Sequence, residues 1–387
     1  MSLRALLASF ILISGTFAAA YAQDATNSPE TNDSAQPADT FTPPPVQRPG
    51  SATPSPSTPE APVATDGTVT TAPPAVVIPK RDVIAEAAIR YGTYQADVGL
   101  YNRMFNSQDD VAEASRVLGT HNPEMIVSGW LAYSAILASE SDVFAAEVRK
   151  IAAHHGRDRT LTGFENDIRF ALTLDGSQAA LGYALTAGQA DANRLKRIGN
   201  VIVTQSRGEL QSMGWANAKL KGDSHEFVED LQAASIAGRP VSGNISRLFE
   251  GSRIDLAADQ ATALGTSTSL WDSVPVTGTD FSLPVLSETT TPGRTSVYRN
   301  PDNDFINSRI TTLAAYRILG ETQPGNTGVA KALTDKEITG GLTDCVTMTQ
   351  FEYRGCLVGN YKVFERVFCI GEHAVTDVGR CIGDISQ

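Results

Sequence analysis

Cysteine is absent from the first 344 residues of this chain. No cysteine therefore stands near the N-terminal leader to carry a lipid anchor. Basic residues are also short: 31 Lys and Arg face 43 Asp and Glu, a formal charge of -12. That balance excludes a nucleic-acid partner, because phosphate-backbone binding needs clustered Lys and Arg. The nearest basic run, Arg194-Leu195-Lys196-Arg197, reads as the solvated face of a helix. Beyond the leader no long apolar run occurs, so no membrane span is expected in the mature chain. Also missing are a G-x-S-x-G elbow, an S-x-x-K pair, a P-loop and a dinucleotide fingerprint behind a strand. No internal repeat of fixed period is found.

What is present begins with a leader. Arg4 supplies a positive start, Ala5 to Phe17 an apolar core, and Ala20-Tyr21-Ala22 a small-x-small cleavage pattern, so residues 1–22 read as a signal peptide. Cleavage after Ala22 makes the protein exported, periplasmic or extracellular. An uncleaved leader kept as an anchor is the competing expectation. Residues 23–80 are rich in Pro, Ser, Thr and Ala, with Pro43-Pro44-Pro45 and Pro73-Pro74 among the punctuation. Such a segment buries too little apolar surface to offset the entropy of ordering, and a disordered linker with polyproline II bias is expected.

From Arg81 the period changes to 3.6 residues. Ile84, Ala88, Tyr91, Val98, Tyr101 and Phe105 mark one buried helix face. Start signals recur at Ser107, Asn122-Pro123, Ser139 with Asp142, Thr162–Glu165, Asp223 with Glu226, and Thr334–Glu337. Few stretches alternate with period two. The fold class expected is all-α, with a main helical domain over 81–264. Residues 265–303, studded with Pro and Gly, form a long irregular loop. Such a loop is functional or joins subdomains. A C-terminal helical subdomain follows over 304–387.

That last part holds all four cysteines, Cys345, Cys356, Cys369 and Cys381. An even set in an exported chain reads as two disulfides. No two are close enough in sequence for a tetrahedral zinc motif. If Cys345 to Cys356 is helical, its ends are ~16 Å apart, beyond the ~7 Å a disulfide spans. Nested pairing follows, Cys345 with Cys381 and Cys356 with Cys369, stapling an antiparallel helical hairpin turned at Gly359-Asn360. Sequential pairing stays open if Gly355, Gly359, Gly371 and Gly379 break the helices.

No catalytic residue stands out, and no metal or other cofactor is implied. His154-His155 falls at a helix end, where imidazolium complements the dipole. His225-Glu226 lacks the second histidine of H-E-x-x-H, and His121 and His373 stand alone. Asn300–Asp304 resembles the start of a calcium loop, but Phe305 and Thr311 occupy the glycine and bidentate-glutamate positions, so it reads as a turn. Glu147, Glu165 and Glu209 lie in expected helices without anything to single one out. Two functions remain. One is an exported, non-catalytic envelope protein that binds a protein or cell-envelope component, or serves as a structural module. The other is a helical periplasmic peptidoglycan hydrolase with a glutamate acid of raised pKa in a cleft.

Overall fold

In the computed structural model, which describes residues 81–249, 269–272 and 303–386, the cap signals sit at helix starts. Asp82 accepts from the Ile84 and Ala85 amides and opens α1 (Val83–Leu100). Ser107 caps α2 (Gln108–Gly119), and Asn122 with Pro123 opens α3 (Pro123–Ser139). Each cap takes up amides that a first turn leaves without helical partners.

Two expected starts are corrected. Ser141, not Ser139, caps α4 (Asp142–His155), because α3 runs on through Ser139, whose hydroxyl donates to the Ile136 carbonyl. Thr162–Glu165 lies near the end of α5 (Arg157–Asn166) rather than at a start. Thr162 there donates back to the Asp158 carbonyl, the bond a threonine makes inside a helix.

A single 3-10 turn (Ala171–Thr173) leads into α6 (Ser177–Arg207), whose 31 residues span about 45 Å. Then come α7 (Glu209–Ser212), α8 (Ser224–Ala237) capped by Asp223, and α9 (Gly243–Leu248). The turn Leu270–Asp272 precedes α10 (Asp304–Ile318) and α11 (Thr327–Thr334). The chain closes with α12 (Lys336–Gly359), α13 (Val363–Cys369), a π-helical stretch Ile370–Thr376, and α14 (Asp377–Ser386). Among the described residues there is no strand, only an isolated bridge between Lys219 and Lys362. The fold is all-α. The expected leader and linker, and the interval 265–303 apart from 269–272 and Asn303, lie outside the described residues, as does the Asn300–Asp302 part of the calcium-loop-like turn.

Helix α3 is the hub. Its residues from Gly129 to Ala138 are all buried, and it packs against α1, α6, α10 and α12. A helix apolar all round has to be covered on all sides. Contact with α1 is close: a Cβ on Gly129 would lie 2.7 Å from the Ala87 carbonyl oxygen. The parts on either side of residues 265–303 meet through α3 with α10 and α6 with α14, and share one continuous core.

The returning C-terminal helices lie on α6 at small residues. A Cβ on Gly199 would stand 2.1 Å from Thr376 Oγ1 and 2.6 Å from the Gly371 carbonyl oxygen. The crossing therefore admits no side chain. Gly182, on the same helix, has open space around it. Gly199→Ala should lower stability by about 1–3 kcal/mol through overpacking, whereas Gly182→Ala should raise it by about 0.5–1 kcal/mol. Thermal and denaturant unfolding of the two variants checks the opposite signs.

The hairpin has the expected form. α12 runs down, the chain turns at Asn360-Tyr361, and α13 to α14 return. Glu365 fixes the turn by accepting from the Tyr361 and Lys362 amides. Cys345 and Cys381 stand at disulfide distance, Cα atoms 5.8 Å apart, and Cys356 and Cys369 at 5.7 Å. Both lie inside the range a disulfide spans. Peptide mapping without reductant should recover 345–381 and 356–369 links and no sequential ones. Replacing either pair by serine should cost about 3–4 kcal/mol of stability.

Candidate functional site

Among the described residues, the carboxyl group with the strongly raised pKa sits at a core-facing position of α6. Asp191 is fully buried, between Ala190 and Ala192. Its Oδ1 accepts from Ser269 Oγ at 2.6 Å. Its Oδ2 accepts from the Tyr91 hydroxyl at 3.0 Å and Trp271 Nε1 at 3.1 Å. Ser269 Oγ also accepts from the Trp271 amide, which sets the turn 269–272. The Trp271 ring packs edge-on to Tyr91, with centroids 6.1 Å apart, and lies 5.4 Å from Tyr133.

Burial raises the Asp191 pKa from its ordinary 3.8 to about 6, and the three donated hydrogen bonds hold it from rising further. The same burial, with Asp191 alongside, pushes the Tyr91 and Tyr133 hydroxyls well above the usual phenol value.

A polar chain leads out from this acid to the surface. Gln95 donates to the Tyr91 hydroxyl, and Arg194 donates to the Gln95 side chain and backbone oxygens. Arg194 Nε then donates to Asp272 at 3.1 Å, and the exposed Arg197 meets the same carboxylate at 2.8 Å. The run 194–197 is thus not a solvated face throughout. Arg194 is buried, because Asp272 and Gln95 reach it from neighbouring segments, while Arg197 stays exposed.

A second buried polar group joins three segments at the other side of α1. His121 Nε2 stands 2.9 Å from Asp97 Oδ2, and Arg239 Nε donates to that same oxygen at 2.9 Å. Burial raises the Asp97 pKa, but the hydrogen bonds from His121 and Arg239 outweigh it and leave the net shift downward. Burial lowers the His121 pKa against the pull of Asp97.

The other histidines do not converge. His154 and His155 end α4 with their rings crossed, His225 lies in the first turn of α8, and His373 Nδ1 is 2.8 Å from Asp377 Oδ2. Of the glutamates, Glu147 pairs with Lys150 and Glu209 begins the one-turn α7. Glu165 lines an open cavity of about 240 Å³ together with Phe164, Arg169, Phe305, Thr312 and Lys331. Its Oε1 accepts from Thr327 Oγ1 at 2.7 Å, and the Arg169 guanidinium covers the Phe305 ring at 4.6 Å. Arg309, one helical turn from Thr312, is enclosed with Nε bonded to the Ala332 carbonyl; burial lowers its pKa to about 10, opposed by Asp335.

Asp191, Ser269 and Trp271 were not singled out from the sequence. The available signal was an acid at a core position of an amphipathic helix, which requires donors from elsewhere. Two of those donors, Ser269 and Trp271, are about 80 residues away in a segment that reads as loop, and the third, Tyr91, is on α1.

Comparison with protein-family models, with curated proteins and with solved structures finds no match.

The Asp191 shift has a defined sign. The folded pKa of about 6 exceeds the unfolded 3.8, so the native state holds the proton more tightly between them. Its contribution to stability is fully present below pH 3.8 and is lost as pH rises through 6. Asp191→Asn keeps a carbonyl for Tyr91 and Trp271 and an amide to donate to Ser269, and removes the titration. Wild type should therefore gain about 2 kcal/mol relative to Asp191→Asn between pH 7 and pH 4. His121 titrates in both proteins and cancels in the difference. Paired melting curves across that range check it; a difference that does not change with pH refutes it.

Proposed function

We propose that the chain works as an exported, non-catalytic envelope protein, a helical module that binds another protein or cell-wall material. The enclosure of Asp191 carries this reading. A general acid needs a carboxyl of raised pKa that reaches substrate. The carboxyl with that property is buried, with both oxygens engaged by Tyr91, Trp271 and Ser269. Its work there is to hold the turn 269–272 against α1 and α6.

Surface features support binding. Met348 and Phe351, three residues apart on α12, remain 55% and 69% exposed and form an apolar strip on the solvent-facing side of that helix. Export is supported by the leader pattern and by cysteine pairs at disulfide distance, which persist in oxidising compartments. Among the described residues no helix is long and apolar enough to cross a membrane.

The peptidoglycan-hydrolase reading has one observation in its favour, the place of Glu165 at the cavity beside Phe164 and Phe305. Two assays separate the readings. Crosslinking in cells followed by purification should recover a reproducible partner with the wild-type chain and lose it with Met348→Ala/Phe351→Ala. Incubation of the full chain with purified peptidoglycan should release no soluble fragments. Release that disappears in Glu165→Gln would replace the binding reading with the hydrolase.

A further inference from the structure

Three side chains that can ligate a metal face one another between the two cysteine pairs. Glu352 lies on α12 between Cys345 and Cys356, and His373 and Asp377 lie on the returning leg between Cys369 and Cys381. His373 Nδ1 is 2.8 Å from Asp377 Oδ2 and 3.7 Å from Glu352 Oε2, and the three ligand atoms lie within 4.8 Å of one another. We propose that Glu352, His373 and Asp377 form a binding site for a borderline first-row divalent cation, of which Zn²⁺ is the probe.

The spacing suits one ion. Nitrogen and oxygen ligands held at ~2.0–2.2 Å from zinc stand ~3–4 Å from each other. The 3.7 Å separation lies in that range and the 2.8 Å one just below it, so a modest turn of the half-exposed Glu352 completes the set. Charge also matches. Two carboxylates and a neutral imidazole give two negative charges opposite a dication, and the imidazole favours Zn²⁺ over Ca²⁺ or Mg²⁺, which prefer oxygen alone.

The ligands are oriented before any ion arrives. Arg380 Nη1 donates to Asp377 Oδ1 and, at 3.1 Å, to Glu372 Oε1. That fixes the Asp377 carboxylate with its other oxygen toward His373, the role that outer partners play in metal sites. The two cysteine pairs flank the cluster on both sides and hold the legs at a set separation. Within the returning leg, His373 belongs to the π-helical stretch, a geometry often found at functional positions. Side-chain exposures of 50% for Glu352, 21% for His373 and 14% for Asp377 leave a route for the ion and room for water in its remaining positions.

Calorimetric titration of the full chain with Zn²⁺ tests the proposal. One site of micromolar or tighter affinity is expected, weakened at least tenfold in His373→Ala, Glu352→Gln and Asp377→Asn. The same site should persist in His154→Ala/His155→Ala, which removes the exposed pair on α4. Glu352→Gln changes only a half-exposed group, so it decides the matter if another variant fails to fold. Absence of a site tighter than about 1 mM, wild-type affinity in Glu352→Gln and His373→Ala, or tighter binding of Ca²⁺ than of Zn²⁺ would each overturn the site. None of these outcomes depends on Met348 or Phe351, so the partner-binding reading stands or falls separately.

Discussion

Helix α3 presents no polar face along most of its length, and water has to be kept from all of it. The arrangement of the long helices follows from that constraint. α1 and α10 flank it, α6 lies across it, and α12 closes another side. Ordinary amphipathic helices can cover such a hub only with their apolar stripes inward, which places their caps and charges at the periphery. Where two backbones approach most closely, side chains are absent, as at Gly129 of α3 against Ala87 of α1 and at Gly199 beneath Thr376. Close packing of this kind leaves little freedom for sliding, so the interior behaves as one packed body.

Polar groups enter that interior only with partners. Asp191 would be costly in an apolar core without its three donors, and the donors come from α1 and from the turn 269–272. The same bonds that accommodate the acid thus attach an otherwise loop-like segment to the core. Asp97 does similar work, drawing together His121 ahead of α3 and Arg239 after α8. In both places a carboxylate joins segments distant in sequence. At Asp191 both oxygens are engaged and fully buried, so its carboxyl does not face solvent. The raised pKa of Asp191 thus comes with an architectural role, the attachment of the turn 269–272 to α1 and α6.

The C-terminal hairpin is different in kind. Its returning leg crosses α6 at small residues, and its outer side carries Met348, Phe351 and Tyr361 exposed to solvent. Two cysteine pairs, with Cys369 and Cys381 buried in the core and Cys345 and Cys356 partly buried against it, tie the two legs together. A surface made rigid in this way loses little entropy on meeting a partner or an ion. The apolar strip and the Glu352–His373–Asp377 cluster both draw on that rigidity, although they are read by different experiments.

Helices and their starts were legible wherever a local rule decides them. Asn122-Pro123, Ser107 and Asp223 cap helices because the cap bond spans only two or three residues. The buried face Ile84 to Phe105 and the nested order of Cys345, Cys356, Cys369 and Cys381 also followed from local geometry, since a helix of fixed rise keeps its own ends apart. Ser139 and Thr162 misled for the complementary reason: a hydroxyl caps an end or bonds back inside a helix according to where neighbouring helices let the end fall. The burial of Arg194 and the partners of Asp191 belong to that second kind of information. They depend on Gln95 and Asp272 for Arg194 and on Tyr91, Ser269 and Trp271 for Asp191, all about 80 to 100 residues away. By itself the sequence determined the all-α class and favoured the nested cysteine order over a sequential one it left open, because both arise from short-range stereochemistry. Only the tertiary structure decided which acid is buried and which histidine meets two carboxylates, because those contacts are set by how whole helices pack.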